Sequence, residues 1–148
     1  MTYMTHIGLK RLYEQIRNVP GKEYVELPPT ERTPEIVLDR SGEEGRIKFT
    51  GRSLPDDARS FYQPIITWID DYFYDPNEST IISFDLEYFN TSSSKMLLEI
   101  IRKLRNLEKQ DKKIRVEWYY LEDDEDILES GVTFQDLSNV EFDFISYQ

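Results

Sequence analysis

The pattern that most constrains this chain is a strand–helix–strand unit in its second half. Over residues 80–88 apolar and polar side chains alternate, which is the two-residue period of a half-buried strand. Over residues 96–107 apolar residues recur every three or four positions, as in an amphipathic helix, and alternation returns over residues 114–120. The pattern predicts a β-α-β unit with two parallel strands and a right-handed crossover.

Segments on both sides extend this unit. Further strands are predicted at residues 35–39, 46–50 and 142–146, and further helices at residues 55–74 and 124–131. Pro64 should kink or break the first of these helices, and Gly131 should end the second. The first two strands should form a hairpin. The predicted class is α/β, a mixed four- to five-stranded sheet with helices packed on it, in the order (α)-β-β-α-β-α-β-α-β.

The N-terminal segment has a different character. Residues 6–17 carry a short apolar stripe that predicts an appended helix, and Pro28 and Pro29 break any regular pattern after it. We therefore divide the chain into an N-terminal helix with a proline-containing linker, residues 1–32, and one folded domain, residues 33–148. His6, the only histidine, lies in the first part, which argues against Ser-His or Cys-His catalysis in the domain.

Composition excludes several classes of function. The chain has no cysteine, which removes disulfides, thiolate nucleophiles and cysteine-ligated metals. Its 18 basic and 29 acidic residues give a net charge of −11, which disfavours nucleic acid and anionic membranes. No apolar run reaches the roughly 20 residues of a membrane span. We expect a cytoplasmic protein without membrane insertion, cofactor or resident metal.

The segment Asn90-Thr-Ser-Ser-Ser-Lys95 follows the central strand and begins the next helix. Helix N-termini stabilise a phosphate group, because their free amides and the helix dipole favour negative charge. Capping requires one such side chain, so four consecutive hydroxyls exceed that need. Two readings remain open from the residues alone: Asn90 or Thr91 only caps the helix, or one hydroxyl of Thr91, Ser92, Ser93 and Ser94 is phosphorylated.

The acidic run at residues 122–126 is a candidate for a divalent cation site, and hence for a small metal-dependent enzyme built on clustered carboxylates. It lacks the spacing and the central glycine of an EF-hand loop. A loop leading into the first turn of a helix, where negative charge is favoured, explains it better. We therefore predict no catalytic residue and no metal ligand.

Three motifs together make the chain similar to a known family. They are Glu87-Tyr-Phe-Asn-Thr-Ser-Ser-Ser-Lys95, Phe61-Tyr-Gln-Pro-Ile65, and Val116-Glu-Trp-Tyr-Tyr120 followed by Glu122-Asp-Asp-Glu-Asp126. In combination they resemble the SiaC family of bacterial regulatory phosphoproteins, over roughly residue 33 to the C-terminus. The resemblance implies a single STAS-like domain, like that of anti-sigma-factor antagonists, and a partner-switching role without catalysis.

The same resemblance implies a circuit. A SiaB-like protein kinase would phosphorylate Thr91, and a SiaA-like PP2C-type phosphatase would reverse this. The unphosphorylated protein would bind and activate a SiaD-like diguanylate cyclase or another effector enzyme, in cyclic di-GMP signalling that controls biofilm formation or aggregation. Asn90 and Lys95 would flank the modified residue. A rival circuit of the same kind is an anti-sigma-factor antagonist in a sigma-factor partner switch.

Aromatic residues near the predicted loop face are candidates for partner binding. Trp118 is expected in the core, and Tyr119 lies on the opposite face of its strand by alternation. The candidates for contact with a partner protein are Tyr88, Phe89, Tyr119 and Tyr120.

Overall fold

The computed structural model describes residues 23–148; the predicted helix at residues 6–17 lies outside the described residues. The strands are β1 Tyr24–Leu27, β2 Glu35–Asp39, β3 Glu44–Ser53, β4 Ser79–Phe89, β5 Lys113–Leu121 and β6 Phe142–Tyr147. The helices are α1 Ala58–Tyr74, α2 Thr91–Lys103, α3 Arg105–Lys109 and α4 Glu125–Ser138.

The strands form one mixed sheet in the order β1-β2-β3-β4-β5-β6. The pairs β1–β2 and β2–β3 are antiparallel, and the pairs β3–β4, β4–β5 and β5–β6 are parallel. The α/β class, the hairpin and the parallel β-α-β unit are therefore confirmed.

The predicted number of four to five strands is wrong, because residues 23–148 alone contribute six strands to the sheet. The additional strand is β1, which pairs with β2 and buries Val25 and Leu27. It spans only four residues and is followed at once by Pro28 and Pro29, so its alternation was too short to identify. Prolines are tolerated beside an edge strand, where they interrupt no ladder. The sheet thus begins before Thr33, near which the sequence placed the start of the domain.

One face of the sheet carries the hydrophobic core. Alternate side chains of β2 to β5 are buried, while their neighbours are half-buried or exposed. The buried strand residues and the apolar stripes of α1, α2 and α4 form one cluster, and its largest fully buried side chains include Trp68, Trp118, Tyr62, Tyr72, Phe49 and Phe84. The helices therefore pack on one face and leave the other without a helical layer among residues 23–148.

The structure excludes a break at Pro64 and corrects the predicted helix end at Gly131. α1 runs through Pro64 without a break, with Pro64 and Ile65 buried in the core, so packing offsets the missing amide. Gly131 does not end its helix: α4 continues to Ser138 and is capped by Asn139 in the left-handed conformation at φ 57°. Position 131 requires glycine for another reason: a Cβ there would lie 2.6 Å from Trp118 Nε1.

A bulge lies at the end of the β3–β4 pair. Gly51 pairs with Leu86 and Arg52 pairs with Tyr88, so Glu87 has no partner on β3. Gly51 has φ +115°, a conformation that side chains with a Cβ rarely adopt. The extra residue shifts the alternation, so that Glu87 and Tyr88 are both exposed instead of Tyr88 following Leu86 inward.

Replacing Gly51 with alanine should destabilise the protein by about 1–3 kcal/mol, because the residue must keep a strained backbone conformation. Chemical denaturation measures the change. Gly42→Ala is the matched control, because Gly42 is exposed, has no such φ, and its added Cβ meets only Glu44 O at 3.9 Å. Equal stability of the two variants would show that the bulge does not depend on glycine.

Candidate functional site

The segment singled out in the sequence begins α2 directly after β4. Asn90 is the N-cap: its Oδ1 accepts a hydrogen bond from the Ser93 amide at 2.9 Å. Its own amide donates to the Ser53 carbonyl at 3.0 Å, and its carbonyl accepts from the Ser94 amide at 2.9 Å. Asn90 therefore satisfies free amides of the helix and joins its start to the end of β3.

The four hydroxyl residues occupy different environments. Thr91 and Ser92, the first two residues of the helix, are exposed. Ser93 is fully buried, and Ser94 is half-buried with its Oγ donating to the Thr91 carbonyl at 2.7 Å. Thr91 and Ser92 are thus the two exposed residues of the four, and Ser93 is the one that is closed to solvent.

Beneath this turn lies a chain of three buried hydroxyls, which we call the hydroxyl chain: Ser93, Ser53 and Tyr62. Ser53 Oγ donates to Ser93 Oγ at 2.8 Å and lies 2.6 Å from the Tyr62 hydroxyl. All three residues are 0% exposed. Burial raises the pKa of the Tyr62 phenol far above its usual range, so this group stays protonated and can donate to Ser53.

Neither Ser53 nor the polar role of Tyr62 was predicted from the sequence. Tyr62 lies in the apolar stripe of a helix, where its ring was expected in the core, and Ser53 ends a strand without any unusual neighbour. Ser53 contacts Tyr62, which is 9 positions away in the chain, and Ser93, which is 40 positions away. The only available signal was the motif Phe61-Tyr-Gln-Pro-Ile65, which includes Tyr62.

Thr91 faces a cleft of about 440 Å³ between the start of α2 and the side of α4. Its lining residues are Phe89, Asn90, Thr91, Ser94, Asp126, Glu129, Ser130, Thr133 and Phe134. Asp126 and Glu129 bring two carboxylates to the cleft, and no Lys or Arg of residues 23–148 lines it. The surroundings of Thr91 are therefore mixed: the helix end favours a negative charge, whereas the opposite wall repels it.

The acidic run at residues 122–126 has the structural role expected for it. Asp124 caps α4, its Oδ1 accepting from the Ile127 amide at 3.1 Å, and Glu125 and Asp126 lie in the first turn. Within residues 23–148, no three His, Cys, Asp or Glu side chains are grouped so that they could hold a metal ion.

The other predicted site residues are distributed unevenly. Phe89 reaches the cleft, where its ring stacks on Phe134 at 5.8 Å between centroids. Tyr88 is 48% exposed, with the Arg52 guanidinium 5.8 Å from its ring centre. Lys95 is exposed, one turn after Thr91 on α2.

The structure does not bring the two tyrosines of β5 to this cleft. Tyr119 is half-buried and donates to Glu117 Oε1 at 3.3 Å; burial, together with the negative charge of Glu117, raises the pKa of its phenol. Tyr120 is half-buried against the core. Trp118, expected in the core, is 1% exposed.

Comparison with protein families decides the identity of this domain. The model of the SiaC family of regulatory phosphoproteins matches residues 27–147. This chain belongs to the SiaC family. The resemblance carried by the three sequence motifs is thereby confirmed, and so is the prediction of a regulatory protein rather than an enzyme, since the family is defined by regulation.

Members of the SiaC family from Pseudomonas aeruginosa share this fold. The activator SiaC, in its crystal structure with the diguanylate cyclase SiaD, matches with a TM-score of 0.76 and 23% identity, covering 83% of this chain and 99% of that chain. Apo-SiaC matches with a TM-score of 0.72 and 23% identity, covering 86% of this chain and 100% of that chain.

A relative in sequence comes from the same species. It is an uncharacterized protein of Pseudomonas aeruginosa strain UCBPP-PA14, 26% identical over 110 residues, which are 74% of this chain and 86% of the relative. In the part of this SiaC-family chain that the structure describes, no helix is long and apolar enough to cross a membrane.

Proposed function

We propose that this SiaC-family protein is a partner-switching regulator that acts in the cytoplasm. Its STAS-like domain is phosphorylated on Thr91 and, when unphosphorylated, binds and activates a diguanylate cyclase. The observation that carries the proposal is the position of Thr91, which is exposed at the first residue of α2 and lines the cleft.

Burial supports Thr91 over most of the other hydroxyls. A kinase must reach the acceptor oxygen, and Ser93 is fully buried under the helix turn. Ser94 Oγ is engaged with the Thr91 carbonyl. Ser92 is exposed, but it does not line the cleft that contains Thr91. Among residues 91–94, only Thr91 is both exposed and part of the cleft lining.

The chemistry is a reversible phosphoryl transfer. A SiaB-like kinase transfers the γ-phosphoryl group of ATP to Thr91 Oγ1; the hydroxyl proton is lost and ADP leaves. A SiaA-like PP2C-type phosphatase returns the hydroxyl by hydrolysis, releasing inorganic phosphate. The added group brings a charge of about −1.5 to −2.

The electrostatics of the cleft explain how that charge switches binding. The phosphate arrives next to Asp126 and Glu129, which line the opposite wall. A partner that covers the cleft would have to bury a dianion beside two carboxylates, which is costly because the charges repel and lose water. The neutral hydroxyl imposes no such cost, so the unmodified form is the one that binds.

The identity of the partner rests on a relative. In the solved complex from Pseudomonas aeruginosa, SiaC is the activator of the diguanylate cyclase SiaD. We extend that role to this chain and expect Tyr88 and Phe89, which precede the phosphorylated turn, to contact the cyclase. Tyr119 and Tyr120 are proposed to contact the partner outside the cleft.

Mass spectrometry of the protein purified from its native host, with and without a PP2C-type phosphatase, tests the modification. We expect a phosphopeptide containing Thr91 that the phosphatase removes. Both forms are then offered to a SiaD-like cyclase of the same host, and only the unmodified form should bind it and raise cyclic di-GMP synthesis. Equal binding by both forms would contradict the switch.

A further inference from the structure

We propose that Ser93, Ser53 and Tyr62 are positioning residues that direct phosphorylation to Thr91. This inference rests on the proposed function. Ser93, although part of the hydroxyl segment, is on this view never an acceptor of phosphate. Its hydroxyl instead holds the first turn of α2 against the sheet and α1.

The geometry of the hydroxyl chain connects three elements. Ser93 belongs to α2, Ser53 ends β3 and Tyr62 lies on α1. Their side-chain oxygens are linked at 2.8 and 2.6 Å, and all three residues are fully buried. A buried hydroxyl is costly unless it is hydrogen-bonded, whereas an apolar residue would fill the same space without that requirement. The hydroxyl chain therefore fixes the position of the first turn of α2, and does not only fill the core.

Two hydrogen bonds of Ser53 fix the turn that contains Thr91. The Ser53 carbonyl accepts from the Asn90 amide at 3.0 Å, and the Ser53 side chain donates to Ser93. Ser53 thus holds residues on both sides of Thr91, and Asn90 closes the turn through the Ser93 amide. With residues 90 and 93 held, Thr91 and Ser92 between them are presented in one orientation, and a kinase can distinguish Thr91, which lines the cleft, from Ser92, which does not.

A second buried hydroxyl pair provides a matched control. Tyr72 OH lies 2.7 Å from Thr80 Oγ1, and these residues are 0% and 1% exposed. Thr80 is near the start of β4, whereas Thr91 follows the end of that strand. Tyr62→Phe and Tyr72→Phe each remove one buried phenol, but only the first acts on the hydroxyl chain.

The experiment incubates the full chain and its variants Ser93→Ala, Tyr62→Phe and Tyr72→Phe with ATP and a soluble extract of the native host. Peptide mass spectrometry then measures the ratio of phosphate on Thr91 to phosphate on Ser92. We expect the ratio to fall about 3- to 10-fold in Ser93→Ala and Tyr62→Phe, which is the factor that one hydrogen bond is worth. Tyr72→Phe should keep the wild-type ratio.

A second readout uses no kinase. Amide hydrogen exchange at residues 93 and 94 should accelerate by a similar factor of about 3 to 10 in Ser93→Ala and Tyr62→Phe, because the first turn opens more often. The wild-type rate should persist in Tyr72→Phe. A loss of stability alone would affect Tyr62→Phe and Tyr72→Phe alike and would leave the phosphate ratio unchanged.

The outcomes separate this inference from the proposed function. A wild-type chain modified on Thr91, with the same ratio in all variants, would overturn the positioning role and leave the switch intact. A wild-type chain that takes up no phosphate would overturn the proposed function, and the inference would fall with it.

Discussion

Replacing Thr91 with alanine is expected to abolish phosphorylation and to lock the protein in the form that binds its partner. Alanine removes the acceptor oxygen and retains a good helix former at the first position of α2. The cap is preserved, because Asn90 makes it. Intact-mass measurement should show no added phosphate, and cyclase binding should persist while the kinase is active. A complete loss of binding in this variant under all conditions would contradict the switch.

Two neighbouring substitutions control this experiment. Ser92→Ala removes the other exposed hydroxyl of the turn, and phosphorylation should continue at the wild-type level. Thr91→Ser keeps a hydroxyl acceptor at the same position, so this variant should still be phosphorylated. If Ser92→Ala and not Thr91→Ala removes the phosphate, the switch lies on Ser92 and the assignment of the acceptor is wrong.

Replacing Trp118 with alanine is expected to destabilise the protein by about 3–5 kcal/mol, the range for removing a buried large aromatic side chain. Trp118 Nε1 donates to the Ile127 carbonyl at 2.9 Å, and its ring lies 5.5 Å from those of Phe84 and Phe134. Its loss leaves a cavity where β4, β5 and α4 meet. The free energy of unfolding in denaturant measures the effect.

Gly131 makes the expected result more specific. In the wild-type protein Gly131→Ala should destabilise by about 1–3 kcal/mol, because the new Cβ would press on the indole. In the Trp118→Ala background the space is empty, so the same change should stabilise α4 by up to about 1 kcal/mol through helix propensity. A Gly131→Ala cost that is equal in both backgrounds would show that the indole contact is not its cause.

The parts of the fold that the sequence predicted depend on long periodic patterns. β4, α2 and β5 each repeat their period several times, so their type and the parallel crossover were evident. The strand β1 was not predicted, because its four residues hold only two alternations of exposed and buried side chains. The bulge at Gly51 was equally invisible, since an extra residue in a strand pair depends on the partner strand and not on local composition.

The candidate site, too, could be predicted from the sequence only in part. Asn90 as a cap and the exposed hydroxyl residues follow from the order of residues along the chain. The burial of Ser93 follows from the approach of β3 and α1, which no local pattern encodes. The acidic wall of the cleft likewise lies on a helix some 35 residues after Thr91 in the chain and faces Thr91 only in the folded domain.

Strand order in this sheet follows chain order, and this affects how the domain assembles. No strand has to enter between two that are already paired, so the sheet can grow outward from the β3–β4 pair. The helix α4, which supplies Asp126 and Glu129, lies between the last two strands in the chain. A chain that has not yet added this final unit presents Thr91 without the opposing wall. Only a domain that has added α4 can therefore form the complete cleft.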